Sequence, residues 1–162
     1  MRLYIVRHAW AGQRGDPEWT NDDLRPLTEK GRKRFRRFLA LLVERGFEPA
    51  RVATSPLVRC RQTAELIQAI VPDRPEVVEL EALAPGSRLG PLVEWSQQQD
   101  GIDLAWVGHA PDVGRLAAEL IGDGSAGIDL GKGAIAAIDF AGSPRPGDGT
   151  LVWLVTPKLL GR

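Results

Sequence analysis

The chain holds two histidines, His8 and His109, and one cysteine, Cys60. His8 follows Arg7 after the apolar run Leu3 to Val6, and His109 follows Gly108 after the run Leu104 to Val107. A lone histidine so placed is ordinarily a hydrogen-bonded, half-buried side chain. Two at equivalent strand ends read instead as a pair directed at one place. A neutral imidazole nitrogen can attack phosphorus while guanidinium groups absorb charge on the non-bridging oxygens. Arg7 and Arg59 are the cations for that chemistry. Their charge opposes protonation of His8 and keeps its attacking nitrogen free at neutral pH. The other ring nitrogen of His8 then needs a partner, which the sequence does not identify.

Other routes to phosphate chemistry fail on spacing. A Walker loop needs Gly-x-x-x-x-Gly-Lys followed by Ser or Thr, but Lys132 is followed by Gly133 and the upstream glycine spacing is wrong. A cysteine phosphatase requires Cys-x5-Arg, and the residue six beyond Cys60 is Leu66. Cys60 therefore reads as a small helix residue. Neither histidine has a second histidine within helical reach, which disfavours a metal-dependent hydrolase, and no cofactor is implied.

The elements that must position these residues follow from periodicity. Leu3 to Val6, Arg51 to Thr54, Glu76 to Leu80, Leu104 to Val107, Ala134 to Phe140 and Thr150 to Thr156 read as strands. Phe35, Phe38, Leu39, Leu42 and Val43 recur at helical spacing, so a helix is expected from Thr28, its N-cap, to Arg45, with Gly46 as its stop. Leu57 to Val71, Leu89 to Gln98 and the segment opened by Pro111 are further helices, while Asp16 to Leu27 lacks any period and reads as a loop. Strand and helix alternate, which predicts an α/β sheet with helices on both faces and a ligand site beyond the carboxyl ends of the strands. His8, Ser55 and His109 all fall there. The expected unit is one domain over 1–162, without repeats or linkers.

Composition narrows the partners. The chain has 162 residues, 43% apolar and 26% charged, with Lys plus Arg equal to Asp plus Glu at 21. Zero formal charge leaves no excess to neutralise a polyphosphate backbone, so no nucleic acid partner is expected. No apolar stretch has the length of a signal peptide or a membrane span, and one cysteine makes no internal disulfide. A cytoplasmic protein with no membrane partner is expected; oligomeric state is left open. The cationic helix residues Arg32, Lys33, Arg34, Arg36 and Arg37 read as solvated surface, ahead of a docking patch for an acidic partner.

Val6-Arg7-His8-Ala9 resembles the Arg-His-Gly signature of the histidine phosphatase (phosphoglycerate mutase-like) superfamily. Arg25-Pro26-Leu27-Thr28 with Gly31, then Ser55-Pro56-Leu57-Val58-Arg59-Cys60-Arg61-Gln62-Thr63-Ala64, then Gly108-His109-Ala110-Pro111-Asp112-Val113-Gly114 are similar in order and spacing to its short SixA-type phosphohistidine phosphatases. The resemblance implies a three-layer α/β/α sandwich with a mostly parallel sheet. It also implies that His8 becomes transiently phosphorylated, that Arg7 and Arg59 grip phosphate, and that His109 completes the pocket. Ser55 and Thr63 would support them, with capping or packing as the preferred reading. Arg25 and Trp10 are candidates for the substrate mouth, although an ion pair accounts equally for Arg25 and loop packing is slightly preferred for Trp10.

The chain departs from the pattern at two positions. Ala9 stands where the superfamily has glycine, which SixA-type chains tolerate. In Leu80-Glu81-Ala82-Leu83-Ala84-Pro85, the glutamate lies one residue further from the proline than in many SixA-type chains. On a strand that offset would turn Glu81 away from the pocket, so Glu81 is a weak candidate for the general acid. A missing acid penalises phosphate monoesters more than phosphohistidine, whose imidazole already leaves well at neutral pH. The expected function is a metal-independent phosphatase acting on phosphohistidine of a signalling or carrier protein. A small-molecule phosphoester phosphatase and a non-catalytic phosphate-binding module are the alternatives.

Overall fold

The computed structural model describes residues 1–160, so the last two positions of the expected 1–162 unit lie outside the described residues. The chain runs β1 (Arg2–Arg7), α1 (Glu29–Val43), β2 (Arg51–Thr54), α2 (Val58–Ile70), β3 (Glu76–Glu79), α3 (Leu89–Gln97), β4 (Leu104–Gly108), α4 (Asp112–Ile121), β5 (Ile135–Asp139) and β6 (Thr150–Val155). Short 3-10 turns occupy Asp22–Leu24 and Glu81–Leu83.

Thr28 starts α1 by accepting the Gly31 N–H at 2.9 Å, and Phe35, Phe38, Leu39 and Leu42 form the buried stripe that the spacing predicts. Gly31 is required by a close approach. A Cβ there would stand 2.4 Å from the Trp10 carbonyl oxygen, so only glycine lets α1 lie against the segment after β1.

The six strands form one sheet in the order β3-β2-β4-β1-β5-β6. Strands β1 to β4 pair in parallel, β5 is antiparallel to β1, and β6 is antiparallel to β5 and so runs with the others. Alternate residues of one strand serve the two faces of the sheet. Tyr4 and Val6 of β1 pack with Phe35, Phe38 and Ile67 beneath α1 and α2. Leu3 and Ile5 pack with Trp106, Leu116 and Leu120 beneath α3 and α4. These side chains are almost wholly removed from water, each contributing about 1.5–3 kcal/mol. The result is the α/β/α sandwich with a mostly parallel sheet. No helix among the described residues is long and apolar enough to cross a membrane.

Register brings the functional candidates to one edge. Arg7 is the partner of Gly108 and Thr54 of Val107, so β1, β2 and β4 end together. Helix α4 presses on the segment that returns to β5: a Cβ on Gly114 would lie 2.1 Å from the Ile128 carbonyl oxygen.

Candidate active site

His8, Arg7, Arg59 and His109 line one cavity of about 850 Å³ at the carboxyl ends of the strands. The His8 N–H donates to the Gly108 carbonyl at 3.0 Å, which sets the nucleophile candidate beside β4. The two imidazole centroids lie 5.4 Å apart with their planes at 62°.

The partner for the second ring nitrogen of His8 is the carbonyl of the next residue. Nδ1 lies 2.7 Å from the Ala9 oxygen. A carbonyl only accepts, so Nδ1 carries the proton and the lone pair is left on Nε2. Burial is the main force pushing the His8 pKa down, to about 3, with His109, Arg59 and Arg7 adding repulsion. The expectation that the two arginines keep His8 neutral is thus right in direction, but loss of solvation dominates.

His109 is also buried, and burial followed by the Arg59 charge lowers its pKa to about 4. Its Nε2 lies 2.9 Å from the Ser55 hydroxyl and 3.4 Å from the Cys60 sulfur. Ser55 also accepts the Leu57 N–H at 3.3 Å, so it serves both the start of α2 and the histidine. Burial raises the Cys60 thiol to about 12, which leaves it a protonated, small packing group. Thr63 donates to the Arg59 carbonyl at 2.7 Å and accepts the Ala9 N–H at 3.1 Å. It ties α2 to the backbone beside His8.

The arginines are held by carbonyls, which fix a guanidinium without neutralising it. Arg7 donates from Nη1 to Leu130 at 2.8 Å, and Arg59 from Nη1 to Asp22 at 2.9 Å. Both keep a buried Nε without a partner among the described residues. Burial lowers the pKa of both groups. The Asp22 carboxylate stands 3.4 Å from Arg59 Nη2 and 2.8 Å from Arg25 Nε. Arg25 therefore lines the cavity and also makes the ion pair that was its alternative.

Two candidates lie elsewhere. Trp10 is not among the cavity-lining residues; it packs against the core beneath Arg34, whose guanidinium carbon lies 4.2 Å from the ring centroid. The glycine at 31 lets α1 cover it, so the mouth reading of Trp10 is corrected. Glu81 is exposed and does not line the cavity. Pairing of β3 stops at Glu79, the Leu80 N–H reaches the Thr54 carbonyl at 2.8 Å, and the chain then winds into a 3-10 turn that buries Ala82 and Leu83. The general-acid reading of Glu81 is corrected on that geometry.

The sequence reading passed over Arg14, Asp22, Asp112 and Lys132, all of which line the cavity. Asp112 accepts the Gly86 N–H at 2.8 Å and sits 3.4 Å from Arg115. The cavity is thus rich in fixed cations and neutral imidazoles, and each of its carboxylates is engaged by arginine. It can hold a phosphoryl group and present a nitrogen lone pair to it. Among the described residues no three of His, Cys, Asp and Glu converge as a metal site.

Comparison with known proteins agrees with this geometry. The family model for the histidine phosphatase superfamily (branch 1) matches residues 3–84. Phosphohistidine phosphatase SixA of Escherichia coli strain K12 is 30% identical over 162 residues, covering 97% of this chain and 94% of that protein. An uncharacterized Picosynechococcus protein is 36% identical over 169 residues, covering 99% of both. The structure of the protein histidine phosphatase SixA complexed with tungstate matches 99% of both chains with a TM-score of 0.85 and 29% identity. The alpha-ribazole phosphatase of Shigella flexneri shares the fold, with a TM-score of 0.72 and 18% identity over 97% of both chains.

Proposed function

Because the chain belongs to the histidine phosphatase superfamily, we propose that it removes phosphate from phosphohistidine on a signalling or carrier protein, without a metal, in the cytoplasm. Residues 1–162 act as one phosphatase domain. The observation that carries this reading is the hydrogen bond from His8 Nδ1 to the Ala9 carbonyl, which leaves Nε2 as a nucleophile that burial keeps unprotonated.

In the first step His8 Nε2 forms a bond to phosphorus as the P–N bond to the substrate imidazole breaks, and that imidazole departs with the bonding pair and takes up a proton. In the second, water attacks the phosphorylated His8, releasing inorganic phosphate and restoring the neutral ring. Arg7 and Arg59 hold the non-bridging oxygens through both steps. Ser55 donates its proton to His109 Nε2, so His109 carries its own proton on Nδ1 and donates it to the phosphoryl group. The relative bound to tungstate, a tetrahedral oxyanion, is consistent with such a cage.

The choice of phosphohistidine over an alkyl phosphate rests on the carboxylates. Asp22 is held below the usual carboxylate range, chiefly by its hydrogen bond from Arg25, and Asp112 is tied to Gly86 and Arg115. Neither is placed to bring a proton to an alkoxide, whereas imidazole leaves without that help.

The test is dephosphorylation of a phosphohistidine-bearing carrier protein by wild type and His8→Ala, with p-nitrophenyl phosphate alongside and no added metal. Loss of protein phosphate with wild type alone, and acid-labile phosphate trapped on the enzyme, is the expected result. Cleavage of the nitrophenyl ester alone would replace this reading with a small-ester phosphatase. Oxyanion binding without any turnover would leave a binding module.

A further inference from the structure

Helix α1 carries Lys30, Arg32, Lys33, Arg34, Arg36 and Arg37 in two turns, in a chain of zero formal charge. Lys30 with Arg34, Arg32 with Arg36 and Lys33 with Arg37 are like charges four apart, and each such pair weakens a helix. The first three cations also lie toward the N-terminal end, where the helix dipole opposes them. Among the described residues the one carboxylate near this cluster is Glu29, 3.4 Å from Lys33. Arginines elsewhere, such as Arg2, Arg51, Arg61 and Arg115, are ion-paired. The helix is therefore built against its own electrostatics, and nothing in the fold compensates.

Two further segments bring cations to the same place. Arg34 is stacked on Trp10, and a Cβ at Gly133 would lie 3.2 Å from both Trp10 and Phe35 and 3.3 Å from Pro157. Lys132 and Lys158 adjoin those contacts, so all four lysines of the chain gather around this junction. Lys132 lines the catalytic cavity. A basic track thus leaves the cavity, passes Arg34 and continues down α1 through Arg37.

We propose that this track is the docking surface for an acidic segment of the phosphorylated substrate protein, an inference that rests on the reading of the chain as a protein phosphohistidine phosphatase. A polypeptide fits better than a nucleic acid. Asp16, Glu18, Asp22 and Asp23 stand in the loop on the other approach to the cavity, where Asp22 meets Arg59 of α2. A uniformly anionic backbone would be repelled there, whereas a protein can match both signs.

The test compares two synthetic phosphohistidine peptides, one flanked by glutamates and one by lysines, with phosphoramidate as the smallest P–N substrate. The variant is K30E/R37E/K158E, three exposed positions outside the cavity. Wild type should favour the glutamate peptide by about tenfold in kcat/KM, fading as salt is raised. The triple variant should lose that preference with phosphoramidate turnover and melting temperature unchanged. Equal kcat/KM for both peptides in wild type, or a preference that survives the reversal, overturns the proposal. So does single-stranded RNA competing better than polyglutamate for the track. If neither peptide nor phosphoramidate is hydrolysed, binding of the unphosphorylated glutamate peptide that is lost in the triple variant upholds the surface and brings down the enzymatic reading alone.

Discussion

His8 and His109 follow paired residues on neighbouring parallel strands, and burial lowers the pKa of both. They differ in what holds the ring. The Nδ1 of His8 is fixed by the carbonyl of Ala9, the next residue, whereas the Nε2 of His109 rests on the side chains of Ser55 and Cys60 from β2's end and α2. A ring held by main chain keeps its tautomer through any side-chain change around it. A ring held by a hydroxyl can be released by removing one oxygen atom. The proposed nucleophile has the fixed support, and the proposed phosphoryl donor has the adjustable one.

Removal of the rings themselves separates the two most strongly. His8→Ala should lower turnover of phosphoramidate by at least about 10⁴-fold, because no other group can form the covalent intermediate. His109→Ala should cost about 10²–10³-fold, the range for losing one donor to a developing oxyanion. Equal losses would erase the distinction between nucleophile and donor. Ser55→Ala is the finer cut. It should lower kcat by about tenfold with little change in KM, while Ser55→Thr retains most activity. Freed of its partner, His109 Nε2 becomes easier to protonate, so the acid limb of the pH profile should move upward. A merely structural serine would leave that limb where it is.

Stability should report both histidines at once. Each folded-state pKa lies below the ordinary value of 6.5, at about 3 for His8 and about 4 for His109. Between those values and 6.5 the unfolded chain binds protons that the folded chain refuses. Their contribution is therefore fully present above pH 6.5 and is lost as pH falls toward 4 and then 3. The slope is at most about 1.4 kcal/mol per pH unit for each ring. Thermal melts between about pH 7 and about pH 5 should show this loss, and His8→Asn or His109→Asn should each shallow it. A melting temperature flat across that interval would contradict the buried neutral pair. The smallest effect is expected from Glu81→Gln, under about twofold on phosphohistidine, against the 10²–10⁴-fold typical of a lost general acid.

The regular elements were legible because their signals are local. Thr28 as the cap of α1, the stripe from Phe35 to Leu42 and the ends of β2 follow from neighbouring residues alone. So did the approach of His8 and His109, because parallel strands that end together deliver the residues after them to one edge. Contacts made across the chain were harder to read. Asp22 lies in a loop without period, and nothing near it in sequence indicates that its carbonyl and carboxylate meet Arg59, 37 residues away. Ser55 carried a capping signal that concealed its second role. Trp10 looked accessible beside His8, but the missing side chain at Gly31 lets a helix close over it. Glu81 depended on where β3 stops, and a strand end can shift by one residue for the sake of a single hydrogen bond to Thr54.

The close approach of Gly114 to Ile128 reaches further than packing. The segment that α4 presses on continues to Leu130, whose carbonyl anchors Arg7. Any larger residue at 114 would push that segment outward and take the anchor with it. A mutational screen scored on turnover would then rank position 114 with the catalytic residues, although it makes no contact with the substrate and sits on the far side of a loop.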